Sequence, residues 1–407
     1  MDRPGSDKPG RLPLEGYRVL DVATMVAAPY CAGILGEFGA EVIKVEMPGR
    51  GDPLRHFGTI GASGTSYNWL SEARNKKSIT LDLRKPEGAA LAKRLVEKPD
   101  VLTENFRPGT LDKWGLSYET LKRVKPDLIL ASVSAYGQDG PYRDRPGYAR
   151  IAHAFSGLSH LSGEPDGAPV VPGASALADY VSGVYAAVGV LLALLARNRF
   201  GMGQSVDVGL YEGVFRALDD LVPVYAKSGH VRNRMGADNV NAVPHNHYRT
   251  KDGKWIALAC SNDKMFARLM KIMGREDLLE PGKFAAIQDR LEHRDEVNRL
   301  VADWTGGLTR EEVLQKCCRG DVPFGSINTI ADVFEDPHVK WRKNLIEIDT
   351  PEDGPVVVPN VLPRLSGTPG RVNNLGPGLG EHNDEIYGGL LGLTARELDD
   401  LRREGVI

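Results

Sequence analysis

The hydrophobic pattern from residue 17 to about residue 210 alternates between short apolar runs and amphipathic segments of helical period. The first run, residues 17–22, is followed by a helical segment at 29–37 that has proline in its first turn, and then by a run at 41–45. Further runs of strand character lie at residues 78–83, 100–103, 127–133 and 204–210. This alternation predicts an α/β fold with a Rossmann-like large domain built on a parallel, doubly wound sheet.

The pattern changes after residue 210. A helix is predicted over residues 211–227, and strands at 248–250 and 255–260 flank Lys251-Asp252-Gly253, a hairpin-turn sequence. Amphipathic helices at 264–273 and 294–304, strands at 345–349 and 355–358, and a capping box from Thr394 to Glu397 follow. We therefore predict a disordered lead (1–13), a large domain (14–210), a connecting helix and linker (211–240), a small α+β domain (241–335) and a C-terminal return to the large domain (336–407).

One apolar segment, residues 183–196, is predicted to form a buried core helix. Large apolar residues recur in it at helical spacing, at Val184, Val188, Leu191, Leu192 and Leu195. Asp179 precedes it in the run Ala174-Ser175-Ala176-Leu177-Ala178-Asp179-Tyr180 and is expected near the helix N-cap. A carboxylate there either accepts hydrogen bonds from free backbone N–H groups or, held ionised with a low pKa by those groups, acts as a nucleophile. The spacing leaves both interpretations open.

The composition is that of a globular protein without a basic surplus. Of 407 residues, 42% are hydrophobic and 26% are charged, and the formal net charge is −3, so no nucleic-acid partner is expected. The apolar segment at 183–196 is shorter than the roughly 20 residues that cross a bilayer, so no membrane partner is expected either. The four cysteines, Cys31, Cys260, Cys317 and Cys318, are too few for a disulfide scaffold and favour a cytoplasmic location.

A series of short blocks from about Leu14 onward resembles the class III coenzyme A (CoA) transferases of the CaiB/BaiF type. The blocks are Leu20-Asp21, Ala28-Pro29, Gly39-Ala40-Glu41-Val42-Ile43-Lys44-Val45-Glu46, Asn75-Lys76-Lys77-Ser78-Ile79, Glu104-Asn105-Phe106-Arg107-Pro108-Gly109, Ser156-Gly157-Leu158, Ala178-Asp179, residues 201–208 and Leu379-Gly380-Glu381-His382. Their order over nearly the whole chain carries the resemblance. It implies a Rossmann-like domain that also receives the C-terminus, a small domain, and an interlocked ring dimer, expected here as a homodimer.

The resemblance also assigns the chemistry to Asp179, because the family places its catalytic aspartate directly before the long Gly/Ala-rich helix. By the family's mechanism, Asp179 attacks an acyl-CoA to give an aspartyl-acyl anhydride and then an aspartyl-CoA thioester, from which a carboxylic acid collects the CoA. The implied donors include succinyl-CoA. The CoA thioester is a substrate, and the route needs no metal and no tightly bound cofactor.

The resemblance implies a set of CoA contacts. Family correspondence places Asn105 and Lys113 along the pantetheine groove, and Val26 where formyl-CoA transferase has a glutamine. Further candidates for the phosphates are Lys76, Lys77 and Arg107. The alternative is that these basic residues bind no ligand and form a solvated basic patch on the surface.

Other activities stay open on this fold. An α-methylacyl-CoA racemase of the same fold would need a histidine at Tyr148, and His153 is expected to pack or bond within its helix instead. Formyl transfer is disfavoured because Ala149 replaces a glutamate. A non-catalytic CoA-binding subunit is the other alternative, and the retained Asp179 argues against it. An NAD-dependent oxidoreductase is disfavoured because no Gly-x-Gly-x-x-Gly follows the first strand.

Two further features invite a chemical interpretation. In a strand, the imidazoles of His245-Asn246-His247 would share a face and permit metal binding, but no local Cys or acidic cluster completes the ligand set. A polar loop or a substrate-contacting segment is therefore predicted there. Cys31 lies in an apolar helix and is predicted to be a buried thiol rather than a nucleophile.

Overall fold

The computed structural model describes residues 11–173, 176–280 and 282–407. Residues 1–10 of the predicted disordered lead, and Ala174 and Ser175 of the run before Asp179, lie outside the described residues. The strands are β1 (Arg18–Asp21), β2 (Glu41–Glu46), β3 (Lys76–Thr80), β4 (Val101–Glu104), β5 (Ile129–Ser134), β6 (Ser205–Gly209), β7 (His245–Arg249), β8 (Trp255–Ala259), β9 (Phe324–Ser326), β10 (Leu345–Thr350) and β11 (Gly354–Pro359).

The α-helices are α1 (Ala27–Glu37), α2 (Tyr67–Glu72), α3 (Pro86–Val96), α4 (Thr110–Lys113), α5 (Tyr118–Val124), α6 (Ala149–Ser156), α7 (Leu158–Leu161), α8 (Leu177–Phe200), α9 (Leu210–Arg216), α10 (Leu221–Ser228), α11 (Asp263–Met273), α12 (Ile287–Glu292), α13 (Arg294–Gly306), α14 (Arg310–Gly320), α15 (Ile330–Glu335), α16 (Pro337–Trp341) and α17 (Ala395–Arg403). Short 3-10 helices lie at Pro53–His56 and Glu276–Leu279, and a π-helical segment lies at Asp384–Leu390. The helix predicted over 211–227 is interrupted, and α9 and α10 take its place.

The chain divides into two compact units. Unit 1 comprises Met1–Leu158, Val171–Val224 and Trp341–Ile407, and unit 2 comprises Ser159–Val170 and Tyr225–Lys340. The segment Ser159–Val170 thus belongs to unit 2, although the sequence analysis placed it in the large domain.

Unit 1 contains a six-stranded parallel sheet with the order β3-β2-β1-β4-β5-β6. This is the Rossmann order, in which the direction of winding reverses between β1 and β4. The predicted α/β fold with a parallel, doubly wound sheet is confirmed. Alternate strand residues such as Val19, Val101 and Ile129 pack with α1 and α8 on one face of the sheet. Their neighbours Leu20, Leu102 and others pack on the opposite face with α3, α5 and α17.

Helix α8 turns its small residues toward the core. Its buried positions are Ala178, Ser182, Gly183, Ala186, Ala187, Val190, Ala193 and Leu194. The large apolar residues that were predicted to be buried, Val184, Val188, Leu191, Leu192 and Leu195, are instead exposed, Leu192 by 61%. The prediction failed because alanine and glycine let α1 approach closely, which leaves the bulky face outward. By length and composition α8 could cross a membrane, but its small-residue face is packed against α1 and the sheet.

Helices α1 and α8 both begin at the carboxyl edge of the sheet. Helix α1 follows β1 directly and leads back to β2, so it runs antiparallel to the strands. At the other end of α8, Arg197 pairs with Asp100 at 2.8 Å and with Asp127 at 3.4 Å, two residues that precede β4 and β5. The end of α8 therefore lies at the amino edge of the sheet, and its start, with Asp179, lies at the carboxyl edge beside the start of α1.

Unit 2 contains a three-stranded antiparallel sheet with the order β7-β8-β9. One face of the sheet carries Tyr248, Ile256 and Leu258 into a core shared with α11, α13 and α14. The predicted hairpin around Lys251-Asp252-Gly253 joins β7 to β8. The run His245-Asn246-His247 begins β7, so the expectation of a polar loop there is wrong.

Candidate active site

Asp179 is the third residue of α8. Its carboxylate is partly buried, and among the described residues it forms no hydrogen bond or ion pair. The N-cap position is held by Ala176, which has no polar side-chain group. Asp179 therefore does not cap the helix through its own side chain, and the carboxylate remains available for chemistry.

A hydrogen bond from the first turn of α8 is accepted by His153 of α6 instead. Its Nε2 accepts a hydrogen bond from the backbone N–H of Ala178 at 3.0 Å, and the side chain is completely buried. Because Nε2 accepts this hydrogen bond, the ring carries its proton on Nδ1. Burial and then the charge of Arg150 lower the pKa of this imidazole. His153 was expected to pack or bond within its helix; it is packed, but its hydrogen bond goes to Ala178, the residue next to Asp179, and not to its own helix.

Burial raises the pKa of Asp179 to about 6. A low pKa was expected from the sequence, because the positive end of the helix favours the ionised form. Desolvation outweighs that effect because the carboxylate has no hydrogen-bond donor or cation beside it among the described residues. The carboxylate is still mostly ionised near neutral pH, and its poor solvation leaves it reactive.

The rate of any reaction that begins with the Asp179 carboxylate should follow this pKa. We expect kcat/KM to fall about tenfold for each pH unit below an apparent pKa near 6, because only the ionised form attacks. The measurement is a profile of initial rates from about pH 4.5 to 8, with circular dichroism at each pH to confirm that the protein stays folded. A rate that is flat down to about pH 4.5 would contradict the assignment, since an ordinary aspartate titrates near 4.

The start of α1 packs against the first turns of α8, which contain Asp179 and Gly183. A Cβ added to Gly183, one turn after Asp179, would lie 2.6 Å from the carbonyl oxygen of Ala27, so the two helices touch backbone to backbone here. Tyr180 packs against the apolar cluster that contains Val26. Helix α1 has no side-chain cap, so its first backbone N–H groups point toward this edge and are candidate donors to a developing oxyanion.

Asn105 fastens the loop between β1 and α1. Its Oδ1 accepts from the backbone N–H of Thr24 at 2.8 Å, and its Nδ2 donates to the carbonyl of the same residue at 2.6 Å. The next residue, Met25, has φ of +64° and donates its N–H to Asp52 at 3.0 Å. The amide of Asn105 thus bonds to the backbone of Thr24, and its contact with CoA stays a prediction. Val26 is buried at the N-cap of α1 rather than lining an open groove.

Lys76, a candidate for a phosphate contact, lies in the core of unit 1. Its Nζ lies 2.9 Å from Asp21 and donates to the carbonyl of Pro29 at 2.6 Å, and the side chain is fully buried. Lys44 lies 2.9 Å from Asp52 in the same buried group of charges and donates to the carbonyl of Ala23. The buried Lys76 therefore anchors the first turn of α1 and does not reach a phosphate.

The remaining predicted cations differ in their accessibility. Lys77 is tied to Glu41 at 2.7 Å and to Glu385 at 2.6 Å, so it is not the free cation that was expected. Lys113 and Arg107 are exposed and make no ion pair among the described residues. These two remain candidates for phosphate contacts.

A cavity of about 590 Å³ opens at the carboxyl ends of β1 to β4. Apolar walls come from the strand ends and the residues after them, and the aromatic rings of Phe106 and Trp114 meet edge-to-face at 5.0 Å on one side. Arg50 and His56 supply exposed polar groups on the other side. An apolar cleft with an aromatic wall and a nearby cation suits an adenosine nucleotide.

The cavity residues Arg50, His56, Phe106 and Trp114 were not named individually as site residues, although Phe106 lies in the block Glu104–Gly109 that carries the resemblance. The signal that could have found them is topological, because ligands of open parallel sheets bind beyond the strand ends where the winding reverses. That point lies between β1 and β4 in this sheet. Local motifs do not reveal it, since the lining comes from four separate loops.

The racemase and formyl-transfer alternatives depend on Tyr148, Ala149 and His153. Tyr148 is 76% exposed at the N-cap of α6, and Ala149 behind it is buried. His153 is committed to Ala178. None of the three offers a second base to act with Asp179 on a carbon acid. Burial raises the pKa of the Cys31 thiol to about 12, so it is not a nucleophile near neutral pH.

Comparison with known proteins gives matches that extend over most of the chain. The family model described as CoA-transferase family III matches residues 14–383. The chain is 52% identical over 398 residues to the beta subunit of succinyl-CoA–L-malate CoA-transferase from Chloroflexus aurantiacus, covering 97% of this chain and 98% of that protein. It is 33% identical over 407 residues to succinyl-CoA:glutarate CoA-transferase from Homo sapiens, covering 100% and 92%. The crystal structure of a CAIB/BAIF family protein from Brucella suis matches with a TM-score of 0.82 and 35% identity, covering 93% of this chain and 100% of that one.

Proposed function

This chain belongs to CoA-transferase family III, and we propose that it moves CoA from succinyl-CoA to a small organic carboxylate with Asp179 as the covalent carrier. The observation that carries the proposal is the placement of Asp179, a partly buried carboxylate without a partner among the described residues. It lies at the carboxyl edge of the sheet, where the start of α1 meets it. Both relatives described above are named as transferases that use succinyl-CoA, and their named acceptors, L-malate and glutarate, are dicarboxylic acids.

The first half of the proposed reaction loads the enzyme. The Asp179 carboxylate attacks the thioester carbonyl of succinyl-CoA, the C–S bond breaks, and an aspartyl-succinyl anhydride and CoA thiolate result. The thiolate then attacks the aspartyl carbonyl of that anhydride. Succinate leaves with the bridging oxygen, and an aspartyl-CoA thioester remains on Asp179.

The second half reverses these steps with the acceptor. The carboxylate of the acceptor attacks the aspartyl thioester and releases CoA thiolate, which leaves an aspartyl-acceptor anhydride. The thiolate attacks the acceptor carbonyl, the acceptor-CoA thioester forms, and Asp179 is regenerated with one oxygen from the acceptor. No proton has to be transferred, because every nucleophile and leaving group is an anion.

Other residues of this chain are proposed to position the nucleophile and to bind the charged groups of CoA. His153 fixes the backbone at Ala178 next to the nucleophile, and Asn105 fixes the loop that leads into α1. The cavity lined by Phe106 and Trp114 is proposed to hold the nucleotide portion of CoA, with the exposed Arg50, Arg107 and Lys113 as candidate partners for its phosphates.

The test is a product analysis with several acceptors. We expect purified protein, given succinyl-CoA and either L-malate or glutarate, to form the CoA thioester of the acceptor and one succinate for each transfer. Butyrate serves as the monocarboxylate comparison. Release of free CoA without an acceptor thioester would contradict transfer, and deuterium exchange from solvent into the α-carbon of a branched acyl-CoA without transfer would instead identify a racemase.

We also propose that two copies associate through the outward face of α8. Its exposed apolar side chains continue onto Ile151 and Phe155 of α6 and Phe215 of α9, which are exposed as well. A continuous apolar surface of this kind marks a protein interface. The Chloroflexus relative is named a beta subunit, so a second, different chain is the alternative partner.

Charge placed on this face should separate the subunits. We expect Leu192→Glu to weaken the dimer at least about a hundredfold, because it buries an unpaired carboxylate in an apolar interface. The measurement is molar mass by light scattering over a dilution series. Val124→Glu on α5, an exposed apolar position elsewhere in unit 1, is the control that should stay dimeric. A monomeric wild-type chain that associates only with a different subunit would contradict the homodimer.

A further inference from the structure

The outward face of the sheet in unit 2 has an unusual composition. Directly opposed residues of antiparallel strands share a face, and the register pairs His245 with Ala259, His247 with Ala257, and Ala257 with Gly325. The opposite face is buried in the core of unit 2. The outward face therefore combines two imidazoles with three of the smallest side chains.

The small residues form the floor of a groove of about 410 Å³. Ala257, Ala259 and Gly325 line it, and the walls include His245 and His247. A Cβ added to Gly325 would meet no atom within 4 Å, so open space lies above the floor. The groove is large enough for a small organic acid.

The lining of this groove carries no carboxylate. Arg249, two residues after His247 on the same face, is exposed and makes no ion pair among the described residues. The Nδ1 of His245 is buried and has no hydrogen-bond partner in the described part of the chain. A buried polar nitrogen without a hydrogen bond destabilises the empty groove, so this atom favours an occupant that bonds to it.

The ligand chemistry follows from the donors. Within the described residues, no third His, Cys, Asp or Glu joins the two imidazoles in a group that could hold a metal ion. Imidazole N–H groups, the free guanidinium and the absence of carboxylates in the lining instead suit an anion that accepts hydrogen bonds. A groove with an alanine floor also accommodates the short hydrocarbon chain of an organic acid.

We propose that this groove binds the carboxylate acceptor of CoA transfer, with His245 as the principal donor. The proposal rests on the proposed function for the identity of the ligand, but not for the existence of the site. It assigns to the His245-Asn246-His247 strand the role of recognising small organic acids. His245 is accordingly a specificity-determining residue.

Two variants test the groove in different ways. His245→Phe removes the donors and keeps a ring, whereas Gly325→Val fills the groove and keeps both imidazoles. We expect each to raise KM for L-malate about tenfold or more, with kcat changed by less than about threefold and KM for succinyl-CoA unchanged, as for the loss of a hydrogen bond to a charged group. His338→Phe, which replaces an exposed histidine of α16 outside the groove, is the matched control.

Direct binding separates this proposal from the catalytic one. We expect L-malate to shift the histidine-ring NMR signals of His245 in wild-type protein, in the absence of any CoA compound, and to lose this effect in Gly325→Val. Unchanged KM values and unchanged binding in both variants, while transfer continues, would overturn the groove and leave the proposed function standing. Equal shifts from inorganic phosphate, or equal losses in His338→Phe, would also overturn it. Binding of L-malate without any CoA transfer would uphold the groove and refute the catalytic assignment.

Discussion

Asp179→Asn should lower CoA transfer at least about a thousandfold and leave the protein folded. The amide has nearly the shape of the carboxylate but cannot form the anhydride, and loss of a covalent nucleophile removes the whole double-displacement route. The assay follows formation of the acceptor thioester from succinyl-CoA. Asp139→Asn, at an exposed aspartate elsewhere in unit 1, is the control and should transfer at the wild-type rate. Transfer by Asp179→Asn at even a tenth of that rate would contradict the assignment.

The same substitution should raise stability, and this effect has a defined pH dependence. Burial raises the pKa of Asp179 from 3.8 to about 6, so the unfolded chain loses this proton at a lower pH than the folded protein does. Between these two values the folded state is destabilised progressively as pH rises, and above 6 the full cost remains. Asp179→Asn should therefore be more stable than wild type by about 1–3 kcal/mol at pH 8, and the difference should shrink as pH falls toward 5. Urea unfolding at both pH values measures it.

Lys76→Met should destabilise the protein by about 3 kcal/mol, because it leaves the buried carboxylate of Asp21 without its nearest cation. Asp21 is completely buried, and although burial acts to raise its pKa, the charges of Lys44 and Lys76 hold that pKa below its ordinary value. Removal of one cation therefore leaves a desolvated charge in the core. Urea unfolding monitored by circular dichroism measures the loss of free energy.

Lys77→Met is the matched control for this prediction. Lys77 follows Lys76 in the same strand, but its ion pairs with Glu41 and Glu385 are partly exposed, so its replacement should cost no more than about 1 kcal/mol. If Lys76→Met kept its stability and only raised KM for succinyl-CoA, Lys76 would be the CoA contact that the sequence suggested, and the buried pairing would be contradicted.

The alternation of strands and helices in unit 1 was predictable from the sequence. Runs such as residues 41–45 are short, apolar and bounded by turn residues, and their secondary structure is decided locally. The capping box at Thr394 likewise opens α17 as expected. These features depend on neighbours within a few residues, which a sequence displays directly.

The orientation of α8 was not predictable in this way. Helical spacing identifies two apolar faces on α8, one of large residues and one of small residues, and hydrophobicity alone selects the large one as the core. Contact with α1 decides which face of α8 is buried, because the backbone of α1 at Ala27 comes too close for any side chain at Gly183. Such an approach depends on a second helix about 150 residues earlier in the chain, and the outward face matches the proposed association of two copies.

The sequence predicted the candidate nucleophile, Asp179, but not the contacts of the residues around it. A resemblance located Asp179, but the sequence could not show that burial rather than the helix end sets its pKa. Asn105 and Lys76 carry polar groups suited to a ligand, and the fold uses them on the backbone of Thr24 and on Asp21. Partners that lie 55 to 81 residues apart are fixed by the order of strands in the sheet and not by any local motif.

The most direct test of the covalent role is the mass of the peptide that carries Asp179, after wild-type protein is mixed with succinyl-CoA alone and quenched rapidly. We predict a peptide heavier by one CoA less one water, with the linkage at Asp179, and expect the adduct to disappear when L-malate is added before quenching. An unmodified Asp179 in a protein that is turning over, or CoA linked to a different side chain, would contradict the account.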